Sequence, residues 1–427
     1  MLDIEFIRNN LDLVKKGTKN KGHDPKLVER VLGLDERRRA LITQVQEVRE
    51  LRNKYAKEKD VEGGKRVKEE LKQLVPQLEE IEMEYVGKLS AIPNIPSEDT
   101  PVGRDESNNK VIRSWGEPRE FSFEPKDHMD MGERLGIIDT ETSANVSGAR
   151  FAYLKGDAVL LQFALIQFAL ETLTNREKVA AIGATVGNKY EAPFVPVVPP
   201  VMMKTEVMKK MDRFDPADER YVFEKDNMVF VGSSEHTIGP MHMGKTFSES
   251  ELPLRYVGYS TSFRREAGSY GRDTKGIFRL HQFDKLEMES FGTPSQGLDE
   301  HELMTAVQEH FMQALEIPYQ VMVVSTGDMG KPNHKQTDIN AWFPSQKKYR
   351  ETHTADYMTD YQARRLGTRV KMGDKTEYVH MNDATAFAIG RTLIAIMENY
   401  QQKDGVVVVP EVLRSYLGKN KIVPPVK

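Results

Sequence analysis

A chain of 427 residues with no cysteine and a formal net charge of −4, from 61 Lys+Arg against 65 Asp+Glu, has room for two or three domains and a large core without covalent staples. The missing cysteine excludes disulfide frameworks, thiol nucleophiles and cysteine-ligated zinc or iron–sulfur centres. The acidic balance excludes a protein that coats DNA non-specifically, so any contact with nucleic acid must be local. The acidic start Met1-Leu-Asp-Ile-Glu lacks the basic region of a secretory signal. The most apolar stretch, Ala158 to Leu170, is interrupted by Gln162 and Gln167 and is too short to span a bilayer. The expectation is a cytoplasmic protein with no membrane contact.

Residues 1 to about 90 read as almost wholly helical. From Leu34, apolar residues fall at Leu41, Val45, Val48 and Tyr55, with Arg52 interrupting the stripe. A second run, Val67, Leu71, Leu74, Leu78, Ile81, Tyr85, steps by four and three as a coiled-coil seam does. Gly63-Gly64 lies between the runs and predicts a reversal there. The arm, about residues 30–90, is thus read as an antiparallel hairpin of two helices of about 25 residues, projecting roughly 35–40 Å. Pro76 predicts a kink in the second helix. Between Arg49 and Lys68 there are eight basic residues and four acidic ones, a local +4 on an acidic chain. Such a tip is either an ordinary solvated face or a grip for a polyanion, with Arg49, Arg52, Lys54, Lys57, Lys65 and Arg66 as the candidate contacts.

The arm ends at Ile92-Pro-Asn-Ile-Pro-Ser-Glu-Asp-Thr-Pro101, whose prolines predict a linker. Residues 1–103 are therefore read as one helical domain and 104–427 as a second. In the second, Leu160–Leu173 reads as a buried helix and Phe194–Val201 as extended. Tyr256–Arg264 and Phe278–Phe291 read as strands, and Ala386–Tyr400 as a helix followed by a short strand at Val406–Val409. Strands next to strands with helices apart predict an α+β fold with an antiparallel sheet.

One motif is a decoy. Gly239-Pro-Met-His-Met-Gly-Lys-Thr246 fits G-x-x-x-x-G-K-[ST], but a phosphate loop must open a substantial helix, and here Phe-Ser-Glu-Ser-Glu-Leu-Pro253 follows. The ten histidines show no metal-binding spacing. The informative stretch is Thr261 to Glu287. With period two, Val257, Tyr259, Thr261 and Phe263 share one face, and Gly258, Ser260, Ser262 and Arg264 the other. In the second strand Phe278, Leu280, Leu286 and Met288 face a core, opposite Arg279, His281, Phe283, Lys285, Glu287 and Glu289. The loop Glu266–Lys275 between them is rich in Gly and polar residues. Arginines can neutralise phosphate bidentately, Phe283 offers a flat surface to a base, and Glu287 can hold an ammonium group. The other reading is the solvated face of an antiparallel sheet, which also alternates.

Phe263-Arg264-Arg-Glu266, a loop, then Arg279-x-x-x-Phe283-x-Lys285-x-Glu287 resembles motif 2 of the class II aminoacyl-tRNA synthetases. The wording of the loop and of His281-Gln-Phe-Asp-Lys-Leu-Glu287 is similar to the bacterial seryl-tRNA synthetase family. So are Ile92-Pro-Asn-Ile-Pro96, Pro101–Ser107, Asp127-His128, Val146–Phe151, Pro199-Pro200, Gly390-Arg391-Thr392, Glu398–Gln402 and Val409–Arg414. The resemblance covers the whole chain. It implies a six- or seven-stranded antiparallel catalytic sheet, a homodimer with its interface around Leu160–Leu173 and Phe194–Val201, and ligation of L-serine to tRNA(Ser), with tRNA(Sec) a further acceptor where present, through seryl-adenylate. By resemblance, Arg264 holds the α-phosphate and the serine carboxylate, Glu266 the adenine edge, and Arg279 the outer phosphates. Phe283 stacks on adenine, with Arg391 on its other face or at the γ-phosphate. Glu351 and Thr354 bind Mg2+ with ATP. Ser233, Glu235, Glu287, Asp383 and Thr385 form the serine site, and the arm grips the long variable arm of the tRNA.

The chain departs from the family at three places. Ser233-Ser234-Glu235 stands for Thr-Ala-Glu, Thr352–Tyr357 replaces a serine- and cysteine-rich tract, and Asp383 replaces an asparagine. Asp383 and Thr385 also suit N-capping of the helix expected from Ala386. Two further readings share the fold: a ligase loading amino acids onto carrier proteins, which the full arm argues against, and a non-catalytic dimeric binding protein, which the presence of Arg264, Glu287 and Arg391 argues against.

Overall fold

The apolar stripes of the N-terminal arm pack against one another, part buried and part half-buried. In the computed structural model, which describes residues 1–267 and 276–425, they lie on helices α1 (Lys26–Glu58) and α2 (Val61–Ala91). Val45 and Val48 of α1 and Val67, Ile81 and Tyr85 of α2 are buried in the seam. The helices have 33 and 31 residues, so the arm is roughly 50 Å long at about 1.5 Å per residue, longer than its sequence suggested. The reversal also sits earlier than the glycines. Lys59 turns left-handed (φ 57) to close α1, and the Asp60 side chain caps α2 by accepting from the Gly63 amide at 2.9 Å. Gly63-Gly64 belongs to the first turn of α2. The glycine at 63 is needed for close approach, since a Cβ there would lie 2.5 Å from Asp60 Oδ2 and 2.9 Å from the Tyr55 ring. The second helix runs through Pro76.

At the base of the arm, helices Ile4–Asn9 and Leu11–Asn20 close a small core with Ile7, Val14, Val28, Val31, Leu34, Leu89 and Ile92. This base is fastened to the rest of the chain by the linker. The Asn94 amide donates to the carbonyls of Pro332 (2.9 Å) and Met358 (2.8 Å), and the Tyr361 hydroxyl donates to that of Ile92 (2.8 Å).

The remainder is built on an eight-stranded sheet of β1 (Lys110–Trp115), β2 (Val195–Val197), β3 (Leu254–Phe263), β4 (Gln282–Gly292), β5 (Tyr319–Val323), β6 (Lys335–Phe343), β7 (Lys348–Tyr357) and β8 (His380–Ala388). Its spatial order is β1-β5-β6-β7-β8-β4-β3-β2, antiparallel except for the parallel edge pair β2–β3. The expected antiparallel α+β architecture is present, with more strands than the resemblance implied. Helices α3 (Asp157–Leu173), α4 (Gly297–Ala314) and α5 (Ile389–Tyr400) contribute to a large core with Leu286, Met288, Ala355, Ala384 and Ala386. Those strand residues are spaced by two, so their odd or even neighbours point to the opposite face, where the polar side chains gather. Among the described residues no single helix is long and apolar enough to cross a membrane.

Two expected boundaries move. The strand β4 starts at Gln282, and Phe278–His281 is an irregular approach to it. Ala386–Ala388 belong to β8, so α5 starts at Ile389. The decoy motif forms a single 3-10 turn at Gly239–His242 and then a short strand from Thr246, with no helix to receive a phosphate.

Candidate active site

Strands β3, β4, β7 and β8 present their polar face to one cleft. It is lined by Arg264 at the end of β3, by Phe283, Lys285 and Glu287 of β4, by Glu351, Thr354 and Asp356 of β7, and by Asp383 and Thr385 of β8. Glu235, Glu266, Arg279 and Arg391 also line it. Residues scattered over some 150 positions therefore meet in one place, as the sequence reading expected. Ser233 is buried just behind the lining, where its hydroxyl accepts from Lys285 Nζ at 3.2 Å.

One end of the cleft is aromatic and cationic. The Arg264 guanidinium lies 5.4 Å from the centre of the Phe283 ring, and its Nε donates to the Gly232 carbonyl at 3.2 Å. Arg391, in the first turn of α5, donates to the Glu351 carboxylate at 2.7 Å and the Glu351 carbonyl at 3.0 Å. It also lies 4.6 Å from the centre of the Phe278 ring, with Arg350 4.2 Å from the same ring. An arginine at a helix N-terminus opposes the helix dipole, so its place here is set by the cleft. Arg279 donates to Glu266 at 3.2 Å. Desolvation in the cleft opposes the charge on Glu351, but Arg391, Arg264 and Arg279 outweigh it and hold the carboxyl below its usual range. The polar loop of the motif continues past Glu266, and its residues 268–275 lie outside the described residues.

The other end is acidic and dry. Lys285 Nζ lies 2.6 Å from Glu287 Oε2. Burial pushes the Glu287 carboxyl up to about 7, against the pull of Lys285. Arg213 reaches in to Asp383 at 2.7 Å and Asp356 at 3.5 Å. The floor requires a glycine: a Cβ on Gly258, opposite Glu287, would come within 2.4 Å of Ile238 and 2.8 Å of Ser234. Asp383 and Thr385 lie within β8, so the capping alternative fails. The N-cap of α5 is Ala388, without a side-chain bond.

Four contributors carried no assigned role in the sequence reading. Lys285 and Asp356 stand two residues from Glu287 and Thr354 and so share their faces, a signal that period two contains. Phe278 reads as a core residue and is buried, yet it also lines the cleft. Arg213 lies in the irregular run Met211–Pro216, with no motif or periodicity, and only tertiary structure brings it to the strands. The arm residues Arg49, Arg52, Lys54, Lys57, Lys65 and Arg66 are all exposed near the tip.

Glu351 and Thr354 lie on one side of β7 and offer a carboxylate and a hydroxyl to the cleft. No cluster of three or more His, Cys, Asp or Glu suited to a metal occurs among the described residues. Two hard oxygen donors beside a cationic end fit magnesium, which keeps several waters and shares its shell with substrate phosphates. They do not form an all-protein cage.

Residues 1–96 match the seryl-tRNA synthetase N-terminal domain, and residues 221–400 match the tRNA synthetase class II core domain (G, H, P, S and T). A serine–tRNA ligase of Nitrosopumilus maritimus is 39% identical, covering 99% of this chain and 100% of its own. The crystal structure of the Pyrococcus horikoshii seryl-tRNA synthetase complexed with ATP superposes with a TM-score of 0.90 at 35% identity, covering 100% of both chains. That of the cytoplasmic serine–tRNA ligase of Naegleria fowleri in complex with AMP gives 0.87 at 33% identity, covering 100% of this chain and 99% of its own.

Proposed function

The chain belongs to the seryl-tRNA synthetase family, and from that premise we propose how its cleft makes it an ATP-dependent serine–tRNA ligase. The observation that carries the reading is the polarity of the cleft, with arginines and aromatic rings at one end and buried carboxylates at the other.

ATP lies at the cationic end. Phe283 stacks on adenine, Glu266 holds its edge, Arg279 reaches the outer phosphates, and Arg391 covers the base or meets the γ-phosphate. Serine lies at the acidic end, its ammonium and hydroxyl on Glu287, with Ser233, Glu235, Asp383 and Thr385 completing the pocket. Arg264 stands between the two and holds the serine carboxylate against the α-phosphate. A serine carboxylate oxygen then attacks the α-phosphorus in line, a P–O bond forms, and pyrophosphate leaves. In the second step a ribose hydroxyl at the tRNA 3′ end attacks the seryl carbonyl, its proton is lost, and AMP leaves. Negative charge builds on the phosphoryl oxygens in the first step, so fixed arginines lower the barrier without a covalent nucleophile. This is the chemical reason that a chain without cysteine suffices. Magnesium, held by Glu351 and Thr354 with the phosphates, would add electrostatic stabilisation of the same charge.

Residues 1–103 form the tRNA-binding domain and 104–427 the catalytic domain of a cytoplasmic homodimer. The arm binds the long variable arm of tRNA(Ser), and of tRNA(Sec) where it is present. The exposed apolar side chains Leu160 and Phe163 of α3 and Val195 and Val198 at the β2 edge supply the dimer surface. ATP–pyrophosphate exchange across a panel of amino acids tests the reading. Exchange that depends on serine supports it, and exchange with another amino acid alone overturns it.

A further inference from the structure

Three carboxyl side chains occupy one register row across three adjacent strands. Glu289 of β4 is paired with Asp383 of β8, which is paired with Asp356 of β7. Directly paired residues point to the same side of a sheet, so the three carboxyls are neighbours. All are buried. Glu289 has no hydrogen-bond partner for either oxygen among the described residues. Burial and mutual repulsion push all three carboxyls above their usual range, towards protonation, and a cation set into the row opposes this. Arg213 is that cation, and it enters from outside the sheet, from the run after the helix Thr205–Lys210. Its guanidinium donates to Asp383 Oδ2 at 2.7 Å and lies 3.5 Å from Asp356 Oδ2.

The position of the row matters. Asp383 is two residues from Thr385 along β8, and Thr385 is the register partner of Glu287. The Arg213–Asp383 pair is thus the next layer of the pocket beyond Glu287. With Oδ2 engaged by Arg213, Oδ1 is the acceptor that Asp383 has left for a substrate donor. We infer that Arg213 is a positioning residue for amino-acid selection: it neutralises and turns the Asp383 carboxylate so that one oxygen accepts the hydroxyl of a small β-hydroxy amino acid. An amino acid without that hydroxyl leaves the buried acceptor unmet, which disfavours it. An arginine is suited to this because its planar fork fixes the carboxylate plane, which a lysine ammonium does not. The inference rests on the reading that this end of the cleft holds the amino acid.

The test is pyrophosphate exchange with the full chain, measuring KM for serine and for ATP separately and the preference for serine over alanine. Arg213→Met is expected to raise the serine KM by about tenfold or more, because it leaves a buried carboxylate unpaired, and to erode the serine preference while the ATP KM stays within about twofold. Arg213→Lys is expected to recover part of the loss. Adding Asp383→Asn to Arg213→Met removes the uncompensated charge and is expected to bring the serine KM back towards that of the parent. A parent-like serine KM in folded Arg213→Met overturns the inference, as does a double variant no better than the single one. If Arg213→Met does not accumulate as folded protein, the double variant decides: a serine KM near the parent supports the inference and a raised one overturns it. Glu287→Ala separates this from the underlying reading. If it leaves the serine KM unmoved, the placement of serine fails. If it raises that KM while Arg213→Met does not, only the role of Arg213 fails.

Discussion

Lys285 Nζ stands 2.6 Å from Glu287 Oε2, so the carboxylate proposed to receive the substrate ammonium already has a cation beside it. The pair shares a face of β4 and is almost dry. Burial raises the Glu287 carboxyl to about 7, Lys285 draws it down, and the nearby Glu235 adds to the rise. The carboxyl is therefore held near neutrality, and Lys285 keeps it from rising further.

The sign of the pH effect follows. Below about 7 Glu287 is protonated and loses its attraction for an ammonium, so kcat/KM for serine in the exchange reaction should fall with pH on the acid side, by up to tenfold per unit. Lys285→Met removes a cation that favours the ionised form, and the acid limb should move to higher pH. Glu287→Gln should abolish the limb. The same shift acts on stability: the folded state holds this proton between the unfolded value of 4.5 and about 7, so this group's contribution to stability declines as pH rises across that window. A limb unmoved by Lys285→Met would show that another group sets it.

Exchange should respond to serine and much less to alanine or glycine. A site built around a hydroxyl leaves buried polar groups unmet when it is missing, and discrimination can reach roughly 10⁴-fold. Arg264→Ala should lower kcat by about 10²–10³-fold, as removal of a donor to developing negative charge does. Equal exchange with alanine and serine contradicts the serine pocket, and parent-like exchange in Arg264→Ala removes that residue from the first step.

Much of this was legible before the fold. The coiled-coil stripe and the alternation of β4 are local patterns, and they placed the arm and the line Phe283–Lys285–Glu287. What escaped was set by tertiary contact. The turn at Lys59 depends on a left-handed residue that no composition marks, whereas of Gly63-Gly64, the stronger turn signal, only Gly63 has a packing role, its close approach to Tyr55. Asp383 and Thr385 suited a helix cap equally well, because Ala386–Ala388 fit a helix or a buried strand until pairing with β4 decides. Arg213 approaches from a run without periodicity, so no spacing could connect it with residues 170 positions later.

Light scattering at micromolar concentration should give about twice the mass of one chain, since a two-fold interface would pair one apolar patch with itself. Phe163 is half exposed on a helix otherwise largely buried. Phe163→Asp would place a charge in such an interface and should shift the chain towards monomer. A parent that scatters as a monomer contradicts the dimer.

The arm should serve tRNA and leave adenylate formation alone. Its tip carries eight basic against four acidic residues between Arg49 and Lys68 on a chain of net charge −4, and its helices run 33 and 31 residues. Recognition of a duplex-like RNA arm rests on shape and backbone contacts, so binding should weaken steeply with salt through counterion release. Replacing residues 49–68 by a short Gly-containing turn keeps the lower seam, including Val45, Val48, Ile81 and Tyr85, which are buried against one another or against the base. That variant should retain serine-dependent exchange within about twofold. Its KM for tRNA should rise by at least tenfold, with a shallower salt dependence because fewer counterions are released. Replacing Arg49, Arg52, Lys54, Lys57, Lys65 and Arg66 by glutamine should reproduce the effect without shortening the arm, which separates charge from reach. A tRNA with a shortened variable arm should behave with the parent as the full tRNA does with the truncated enzyme, and changing the anticodon should matter little. Charging by the truncated enzyme at the parental KM would assign the arm another purpose.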